Sequence, residues 1–398
     1  MQPSTKQPCP NCCTHTLETF YEVSNVPVHS VLLLKSRQQA VEYPKGDLSL
    51  AFCHTCGFIT NEAFDPEAHE YGCDYDPTQG FSPTFNAFHK ELAVKLVEKY
   101  QLHGQTILEI GCGQGEFITL LCEIGNNIGI GFDPAYLPER NTLGDISQAG
   151  ITFIQDFYSE KYANYRGDFV VCKMTLEHIP KTSAFVNMVR RAVDNHLDTT
   201  VFFQVPNARY VLGDVAFWDI YYEHCSYFSL GSLGYVLRHA GFEILDLWAD
   251  YDDQYIMAEA RPIKGSIAPP HPNEELLGEI SDDVTHFRRI YPQKHAYWQD
   301  NITKWRSEGK KVVLWGGGSK AVAFLTTLNL QTRQLKYVVD INPRKAGTYI
   351  TGTGQKIISP KFLEIYHPDI VIVMNPVYED EIRHVLYEMD LHPQLITV

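Results

Sequence analysis

A glycine-rich turn is the part of this 398-residue sequence whose residue types and spacing most clearly indicate chemistry. The apolar run Thr106–Ile110 contains Glu109 near its end and is followed by Gly111, Gly113, Gly115 and a helical pattern. Glycine is needed where the backbone turns tightly and approaches a ligand so closely that a side chain would block contact. We therefore predict a strand, a ligand-binding turn and a helix.

Two later apolar runs end in polar residues that belong at the same edge of a sheet. The run Ile128–Phe132 precedes Asp133, whose carboxylate can accept two hydrogen bonds from ribose hydroxyls. The run Ile151–Ile154 precedes Asp156 and Phe157, which are suited to hold an adenine amino group and to lie beside the adenine ring. Because three successive strands supply these positions, the pattern is more specific than the glycines alone.

The order Glu-x-Gly-x-Gly-x-Gly differs from the Gly-x-Gly-x-x-Gly of dinucleotide-binding folds and resembles the cofactor loop of Rossmann-like methyltransferases. The resemblance implies S-adenosylmethionine as the cofactor. The alternatives are a nicotinamide or other nucleotide domain, or a strand-to-helix turn whose glycines serve packing only. The predicted cofactor-binding residues are Glu109, Gly111, Gly113, Gly115, Asp133, Asp156 and Phe157.

Cysteines near the N-terminus form two Cys-x-x-Cys pairs, which are Cys9 with Cys12 and Cys53 with Cys56. Each pair presents two thiolates from one tight turn, so the four together can complete a tetrahedral zinc shell. A closed shell of four thiolates leaves no position for a substrate, and we therefore expect Zn²⁺ to be structural. Reduced thiols in a small domain are the alternative. Further potential ligands are Cys13, His15 and His54.

The elements that must position these residues follow from the alternation of apolar runs and helical patterns. Continuous apolar strands that alternate with helices indicate a doubly wound parallel sheet. Ser82 and Pro83 are typical of a helix start, and the segments 243–247 and 254–260 resemble a hairpin at the sheet edge. We predict further strands at 106–110, 128–132, 151–154, 169–174 and 200–205, and helices at 117–124, 184–193 and 230–240.

A proline-rich segment at 262–272 is typical of a semi-rigid linker and marks a domain boundary. Beyond it we expect two helical stretches and strands at 312–315, 337–339, 370–374 and 395–398. The predicted fold class is α/β. Three units are expected, which are a zinc-binding module at 1–80, a Rossmann-like S-adenosylmethionine-dependent methyltransferase domain at 81–262, and a smaller C-terminal Rossmann-like domain at 273–398.

This order of units resembles the nucleotide-sugar C-methyltransferases of deoxysugar biosynthesis. The resemblance is most specific in the segments Leu176-Glu177-His178-Ile179 and Tyr221-Tyr222-Glu223-His224, in Gly318-Ser319-Lys320, and in the run Asp-Ile-Asn-Pro-Arg-Lys-Ala-Gly at 340–347. It implies methylation of a carbon beside the keto group of a sugar linked to a nucleoside diphosphate, usually dTDP.

The same resemblance implies that Tyr221, Glu223, His224, His178 and Tyr75 lie in the active site, and the chemistry of C-methylation suggests a role for each of them. His224 would remove the proton from the carbon, because histidine has a pKa near neutrality, and Glu223 would orient or polarise it. Tyr221, His178 and Tyr75 would bind the substrate oxygens, with Tyr71 as the alternative to Tyr75. His178 could instead pack under the cofactor loop. His224 also begins a His-x-x-x-Phe-Ser pattern that many methyltransferases carry without a proven basic function.

The C-terminal glycine run precedes a predicted helix, so its backbone amides could meet a diphosphate. Lys320 would contact the same group, and Ser319 would either cap the helix or touch the diphosphate. A nucleotide fold that binds no ligand is the alternative.

The net charge of −15 disfavours nucleic acid and anionic membranes as partners. The first residues lack a basic cluster with an apolar run, and no run of about eighteen apolar residues occurs, so we expect a cytoplasmic protein. We further expect a monomer or small homo-oligomer whose partner is a small-molecule nucleotide sugar. The alternatives are a methyltransferase for another small metabolite, a zinc-knuckle nucleic-acid methyltransferase, or a scaffold that has lost activity.

Overall fold

The computed structural model of the chain describes residues 7–68, 74–140, 150–194 and 196–398. Its N-terminal unit is a small antiparallel sheet with the strand order β1-β2-β3-β9, in which the last strand comes from much later in the chain. Buried side chains of Tyr21, Leu50 and Phe52 form one face of this sheet. The elements are β1 (Leu17–Pro27), α1 (Arg37–Val41), β2 (Lys45–Cys53) and β3 (Ile59–Asn61).

The central unit is a seven-stranded sheet that is parallel except at one edge. Its strand order is β10-β11-β8-β7-β4-β5-β6, and β10 and β11 form the antiparallel hairpin predicted at that edge. The elements are α2 (Pro83–Tyr100), β4 (Thr106–Ile110), α3 (Glu116–Gly125), β5 (Ile128–Phe132), β6 (Ile151–Ile154), β7 (Phe169–Lys173), α4 (Thr182–Val193), β8 (Thr200–Pro206), α5 (Ala208–Gly213), β9 (Ser226–Tyr227), α6 (Leu230–His239), β10 (Phe242–Asp250) and β11 (Tyr255–Pro262).

Helices cover both faces of the central sheet, which explains why its strands are apolar on both sides. On one face, Leu96 of α2 and Leu121 of α3 pack against strand residues such as Val171. On the other face, Val189 of α4 and Leu237 of α6 do the same. The helix α2 begins as the sequence predicts, because the Ser82 side chain accepts a hydrogen bond from the backbone N–H of Phe85 and proline occupies the first helical turn.

The C-terminal unit is a second, smaller sheet of five parallel strands in the order β14-β13-β12-β15-β16. The elements are α7 (Leu277–Ser307), β12 (Val312–Trp315), α8 (Ser319–Thr327), β13 (Tyr337–Val339), β14 (Lys356–Ile358), α9 (Leu363–Tyr366), β15 (Ile370–Val373), α10 (Glu379–Glu388) and β16 (Gln394–Thr397).

The expectation of two helical stretches before this sheet is wrong. A single helix of 31 residues, α7, runs through Pro292. Buried Phe287 and Trp298 lie on either side of the proline, and both belong to one apolar cluster. Packing on both sides therefore keeps the chain helical across a residue that removes one backbone hydrogen bond.

The predicted fold class is confirmed, with an α/β architecture and two Rossmann-like sheets. None of the helices in the described ranges is long and apolar enough to span a lipid bilayer.

Candidate active site

A cavity of about 530 Å³ lies at the carboxyl ends of the central strands and extends to the glycine turn of the C-terminal unit. Thirteen of the residues predicted for cofactor, substrate or catalysis line it, and Gly318 of the C-terminal motif also belongs to the lining. The thirteen are Tyr75, Glu109, Gly111, Gly113, Asp133, Asp156, Phe157, His178, Tyr221, Glu223, His224, Ser319 and Lys320. Gly115 does not line the cavity, and instead supplies the residue that precedes α3. The structure thus brings residues from motifs that are far apart in sequence into one cavity.

The turn after β4 requires glycine for reasons visible in the backbone. Gly111 has φ 73°, and a Cβ atom there would lie 2.0 Å from Oγ1 of Thr175. Gly113 has φ 55°, and its backbone N–H donates a 2.9 Å hydrogen bond to Oδ2 of Asp133. The backbone N–H of Ala135 donates to the other carboxylate oxygen at 2.7 Å. The turn and the predicted ribose-binding residue are therefore locked to each other.

Burial changes the protonation of the carboxylates around this turn. Desolvation raises the pKa of Asp133 to about 6, against the lowering effect of its two backbone hydrogen bonds. Glu109 is 2% exposed, and desolvation raises its pKa to about 8 although Lys173 opposes the shift. Oε2 of Glu109 has no hydrogen-bond partner among the described residues. Glu109 therefore keeps an unused polar atom beneath the turn.

The predicted adenine end of the cavity is more open. Asp156 accepts hydrogen bonds from the backbone N–H of Phe157 at 2.8 Å and the hydroxyl of Tyr162 at 2.6 Å, and it forms an ion pair with Lys161. The hydrogen bonds from Lys161 and Tyr162 lower the pKa of Asp156 to about 2, so it is a carboxylate at neutral pH. Phe157 is 59% exposed at this end of the cavity.

Two histidines meet between the central sheet and the C-terminal unit. The rings of His178 and His224 lie 4.8 Å apart, and Tyr221 packs 4.2 Å from His224 on its other side. Nδ1 of His178 lies 2.9 Å from the backbone carbonyl oxygen of Glu223. Because a carbonyl oxygen only accepts, Nδ1 of His178 carries the proton and donates it.

Desolvation lowers the pKa of both histidines. The pKa of His178 falls to about 4, and that of His224 falls well below its ordinary value, with repulsion from the charge of Lys320 adding to the effect of burial on His224. Both rings are therefore neutral near pH 7, which is the form that can accept a proton.

The expected contact between Glu223 and His224 is not what the structure shows. The Glu223 carboxylate accepts hydrogen bonds from the backbone N–H and the hydroxyl of Ser30, both at 2.6 Å, and lies 3.6 Å from Nδ1 of His29. Glu223 therefore binds the N-terminal unit, while its backbone carbonyl orients His178. Ser30 and His29 were missed from the sequence, since no local pattern marks a contact across 193 positions.

Tyr75 lies in the segment that leads from the N-terminal unit to α2. Its ring is 5.6 Å from that of His29, and its backbone carbonyl accepts a 2.7 Å hydrogen bond from Nη1 of Arg140. The alternative residue, Tyr71, lies outside the described residues.

The C-terminal glycine turn resembles the central one in its geometry. The backbone N–H of Gly317 donates a 2.8 Å hydrogen bond to Asp340, as Gly113 donates to Asp133. Ser319 is the first residue of α8 and does not cap it, since the cap is Gly318 and the hydroxyl of Ser319 lies 2.7 Å from that of Ser30.

The ammonium group of Lys320 is occupied within the protein. It donates to Oδ2 of Asp219 at 2.7 Å and to Oε1 of Gln254 at 2.9 Å. A diphosphate at this turn would therefore meet a lysine whose charge is already balanced by a carboxylate.

The four cysteines of the two Cys-x-x-Cys pairs lie together at the other end of the N-terminal sheet. Their sulfur atoms are all within 4.8 Å of one another, with 3.8 Å between Cys9 and Cys56 and 3.5 Å between Cys12 and Cys53. Zinc–sulfur bonds of about 2.3 Å in a tetrahedral shell place sulfur atoms about 3.8 Å apart. The cluster therefore has the dimensions of a zinc site.

The other potential metal ligands have different positions. Cys13 is exposed, and Nε2 of His54 lies 2.9 Å from a carboxylate oxygen of Glu18. Neither belongs to the group of four.

Comparison with known proteins matches two successive parts of the chain to families. Residues 84–247 match the methyltransferase domain family, and residues 280–392 match the C-methyltransferase C-terminal domain family. The C-methyltransferase NovU of Streptomyces niveus is 26% identical over 293 residues, which are 70% of this chain and 68% of that protein.

Two more distant similarities concern the methyltransferase fold. A ubiquinone biosynthesis O-methyltransferase of Hydrogenovibrio crunogenus is 26% identical over 135 residues, which are 32% of this chain and 55% of that protein. The crystal structure of magnesium protoporphyrin IX methyltransferase from Synechocystis PCC 6803 with bound S-adenosylmethionine is 17% identical and covers 45% of this chain and 80% of that one, with a TM-score of 0.33.

The first domain match covers the central Rossmann-like sheet, and the second covers the C-terminal one. The similarity to NovU extends over most of both proteins. The chain is therefore an S-adenosylmethionine-dependent methyltransferase that is similar to C-methyltransferases in both of its matched domains.

Proposed function

We propose that this enzyme methylates a carbon beside the keto group of a nucleotide-linked sugar, with dTDP sugars as the first candidates. The observation that carries the proposal is the shared cavity, because the cofactor turn and the C-terminal glycine turn line it together and two neutral histidines lie between them. NovU, a C-methyltransferase by name, supports transfer to carbon.

Transfer to carbon requires that a proton is removed next to a carbonyl group, since carbon is otherwise not nucleophilic. His224 is the proposed base, because its ring is neutral, lines the cavity and is held between Tyr221 and His178. S-adenosylmethionine, when bound, supplies the methyl group from its sulfonium centre. The chain's task is to hold the substrate carbon in line with that centre and to accept the proton on the imidazole.

Two phenols support the developing enolate oxygen in this proposal. Burial raises the pKa of Tyr75 and of Tyr221 well above its ordinary value, so both keep their hydroxyl protons and can donate hydrogen bonds. His178 donates its one proton, on Nδ1, to the Glu223 carbonyl, so its Nε2 can accept a hydrogen bond from a substrate hydroxyl but cannot donate one. The proposed catalytic residues thus comprise one base, His224, and two hydrogen-bond donors, Tyr75 and Tyr221.

The nucleotide part of the substrate is proposed to bind at the C-terminal turn. The helix α8 has nine residues, and the backbone amides at its start can donate hydrogen bonds to a diphosphate. Ser319 and Lys320 line the same part of the cavity. The pairing of Lys320 with Asp219 leaves the amides as the principal donors in this proposal.

Structural zinc on Cys9, Cys12, Cys53 and Cys56 is part of the same proposal. The support is the spacing of the four sulfur atoms, which fits a closed tetrahedral shell. Such a shell would stabilise the N-terminal unit, whose residue Ser30 reaches Glu223.

The function is tested by incubating the enzyme with S-adenosylmethionine and a panel of 4-keto sugars linked to dTDP, UDP, GDP or CDP. We expect one of them to gain a single methyl group by mass spectrometry, and to exchange the hydrogen beside its carbonyl for deuterium. His224→Asn should abolish both reactions while S-adenosylhomocysteine still binds. The control is His239→Asn, which changes a surface ring stacked on Tyr235.

Two results would contradict this proposal. Methylation of a hydroxyl or an amine without hydrogen exchange would show another acceptor. Normal turnover by His224→Asn would remove His224 as the base.

A further inference from the structure

Lys173 is a buried cation in the cavity that the proposed reaction does not use. It ends β7, is 9% exposed and lines the cavity below the glycine turn. Within the described part of the chain its ammonium group makes no hydrogen bond or ion pair, whereas the other lysines that line the cavity, Lys320 and Lys345, pair with Asp219 at 2.7 Å and Asp340 at 3.2 Å. Buried lysines are almost always paired.

The surroundings of Lys173 explain why it stays available. Its ammonium nitrogen lies 5.8 and 5.5 Å from the ring centroids of Phe85 and Phe117, so apolar rings form much of its wall. Burial lowers the pKa of Lys173, and the acidic side chains of Glu109, Glu116 and Glu177 oppose this shift. None of these carboxylates forms an ion pair with Lys173 among the described residues. His89 adds no competing charge, because burial lowers its pKa to about 2.

The order of the strands shows which part of the cofactor would meet Lys173. The order is β7-β4-β5-β6, with Asp133 following β5 and Asp156 following β6. A nucleoside whose ribose lies at Asp133 and whose adenine lies at Asp156 must extend its amino-acid part the other way, over β4 and β7. Glu109 is the next-to-last residue of β4, and Lys173 is the last residue of β7.

The amino-acid part of S-adenosylmethionine carries one ammonium and one carboxylate group. At that end of the cavity the structure offers a buried carboxyl group with an unpartnered oxygen, in Glu109, and a buried lysine without a counter-ion, in Lys173. We propose that Lys173 binds the carboxylate of the cofactor's amino-acid part and so selects S-adenosylmethionine over adenosyl compounds that lack it. The inference rests on the cofactor assignment and not on the identity of the sugar.

The test compares the affinities of two ligands by calorimetry. One is S-adenosylhomocysteine, and the other is its analogue in which hydrogen replaces the carboxylate. The wild-type enzyme should bind S-adenosylhomocysteine at least about tenfold more tightly, as expected for a hydrogen bond between charged groups in a desolvated site. Lys173→Met should lose about that factor for S-adenosylhomocysteine and change affinity for the analogue by less than about twofold. Lys173→Arg should retain part of the discrimination.

The control variant is Lys294→Met, because Lys294 is also a desolvated lysine but lies on α7 outside the cavity lining. It should leave both affinities unchanged. Equal affinity of the wild type for the two ligands would overturn the proposal, and this result does not depend on any variant folding. Equal losses for both ligands in Lys173→Met would also overturn it, since they would show a structural role. Failure to methylate sugars would leave the ratio of affinities untouched.

Discussion

Glu223 acts through parts of the chain that are far apart in sequence. Its carboxylate accepts two hydrogen bonds from Ser30, and the hydroxyl of Ser30 also lies 2.7 Å from that of Ser319. Since the Ser30 hydroxyl donates to Glu223, Ser319 must donate to Ser30. Residues of all three units thus meet at one carboxylate, whose own backbone carbonyl orients His178.

The protonation of Asp133 predicts how cofactor affinity depends on pH. Burial raises its pKa to about 6, and only the ionised form can accept two ribose hydroxyls in addition to its backbone donors. We expect the affinity for S-adenosylhomocysteine to be constant above about pH 7 and to fall below pH 6 by up to about tenfold per pH unit. This dependence can be measured by isothermal titration calorimetry between about pH 5 and about pH 8, a range of about three units that includes the pKa of Asp133.

Two variants distinguish the titration of Asp133 from loss of the folded state at low pH. Asp133→Asn should bind more weakly and show a much flatter pH profile. Asp156→Asn should leave the profile unchanged in shape, because the pKa of Asp156 is lowered to about 2. A wild-type affinity that does not change across pH 6 would exclude Asp133 as the titrating group.

Residues that follow strands could be predicted from the sequence, and contacts between units could not. Asp133 and the glycine turn are marked by short spacings after apolar runs, so their positions at the sheet edge follow from the strand pattern. The partner of Glu223 could not be predicted, because Ser30 belongs to no motif and the contact depends on how two units pack. The isolation of Lys173 likewise depends on which side chains surround it.

At the level of elements, the two-residue strand β9 joins the segment 221–224, which contains the proposed base, to the N-terminal sheet. It pairs with β3, and the backbone N–H of Asn61 and the hydroxyl of Thr60 both donate to the carbonyl of Cys225. His224 is the residue before this anchor. The N-terminal sheet therefore fixes the position of the proposed base.

Substitution of Gly46 in β2 tests this coupling. A Cβ atom at Gly46 would lie 2.3 Å from the ring of Tyr222, which is 1% exposed and accepts a 2.8 Å hydrogen bond from the backbone N–H of Asp65. Gly46→Ala should therefore displace Tyr222 and the neighbouring Glu223, and should lower the free energy of unfolding by about 1–3 kcal/mol. We expect kcat to fall more than the affinity for S-adenosylhomocysteine, measured by steady-state kinetics and calorimetry.

Gly278 in α7 provides the matched control, because a Cβ atom there has no neighbour within 4 Å. Gly278→Ala should leave kcat unchanged. If Gly46→Ala is less stable but keeps full turnover, the N-terminal sheet does not position the segment 221–224.

Long, buried elements were predictable because their residue patterns are extended. The parallel strands β4 and β5 have the predicted bounds, since strands covered on both faces are continuous apolar runs. The strand β9 has two residues and no pattern of its own. Pro292 misled the prediction of α7, because packing of the flanking aromatic residues outweighs the local preference.

At the level of the whole molecule, the cysteine cluster is part of the interface with the central unit. Nδ2 of Asn11 donates to the carbonyl of Ser232 in α6 at 3.0 Å, and the backbone N–H of Ser183 in α4 donates to the carbonyl of Pro10 at 3.0 Å. Cys9 and Cys53 belong to the same apolar cluster as Leu237 of α6. Loss of the cluster should therefore affect more than the N-terminal sheet.

The two adjacent cysteines Cys12 and Cys13 allow a matched test of the zinc proposal. Cys12 belongs to the cluster, whereas Cys13 is exposed and outside it. We expect the wild type and Cys13→Ser to contain one zinc ion per chain by atomic emission, and Cys12→Ser to lose it. The melting temperature of Cys12→Ser should fall by about 5 °C or more. Zinc retained by Cys12→Ser, or absent from the wild type, would contradict the proposal.

The C-terminal unit is held to the edge of the cavity by a buried carboxylate. Asp76 is 2% exposed, and it accepts hydrogen bonds from Nε and Nη2 of Arg344 at 2.8 and 3.2 Å and from Nδ2 of Asn342 at 3.3 Å. Asp76 follows Tyr75, a proposed substrate residue, and Asn342 itself lines the cavity. This contact therefore sets the distance between the segment at Tyr75 and the C-terminal turn.

Asp76→Asn keeps the shape of the side chain but removes its charge. Because the contact lies on the proposed substrate side, we expect KM for the keto sugar to rise about tenfold, while the affinity for S-adenosylhomocysteine stays within about twofold. Arg261→Gln is the control, since Arg261 pairs with Glu243 on the surface, where the two side chains are 51% and 41% exposed. It should change neither quantity, because exposed ion pairs contribute little. Equal weakening of sugar and cofactor binding in Asp76→Asn would show that the contact supports the whole fold and does not position the substrate side of the cavity.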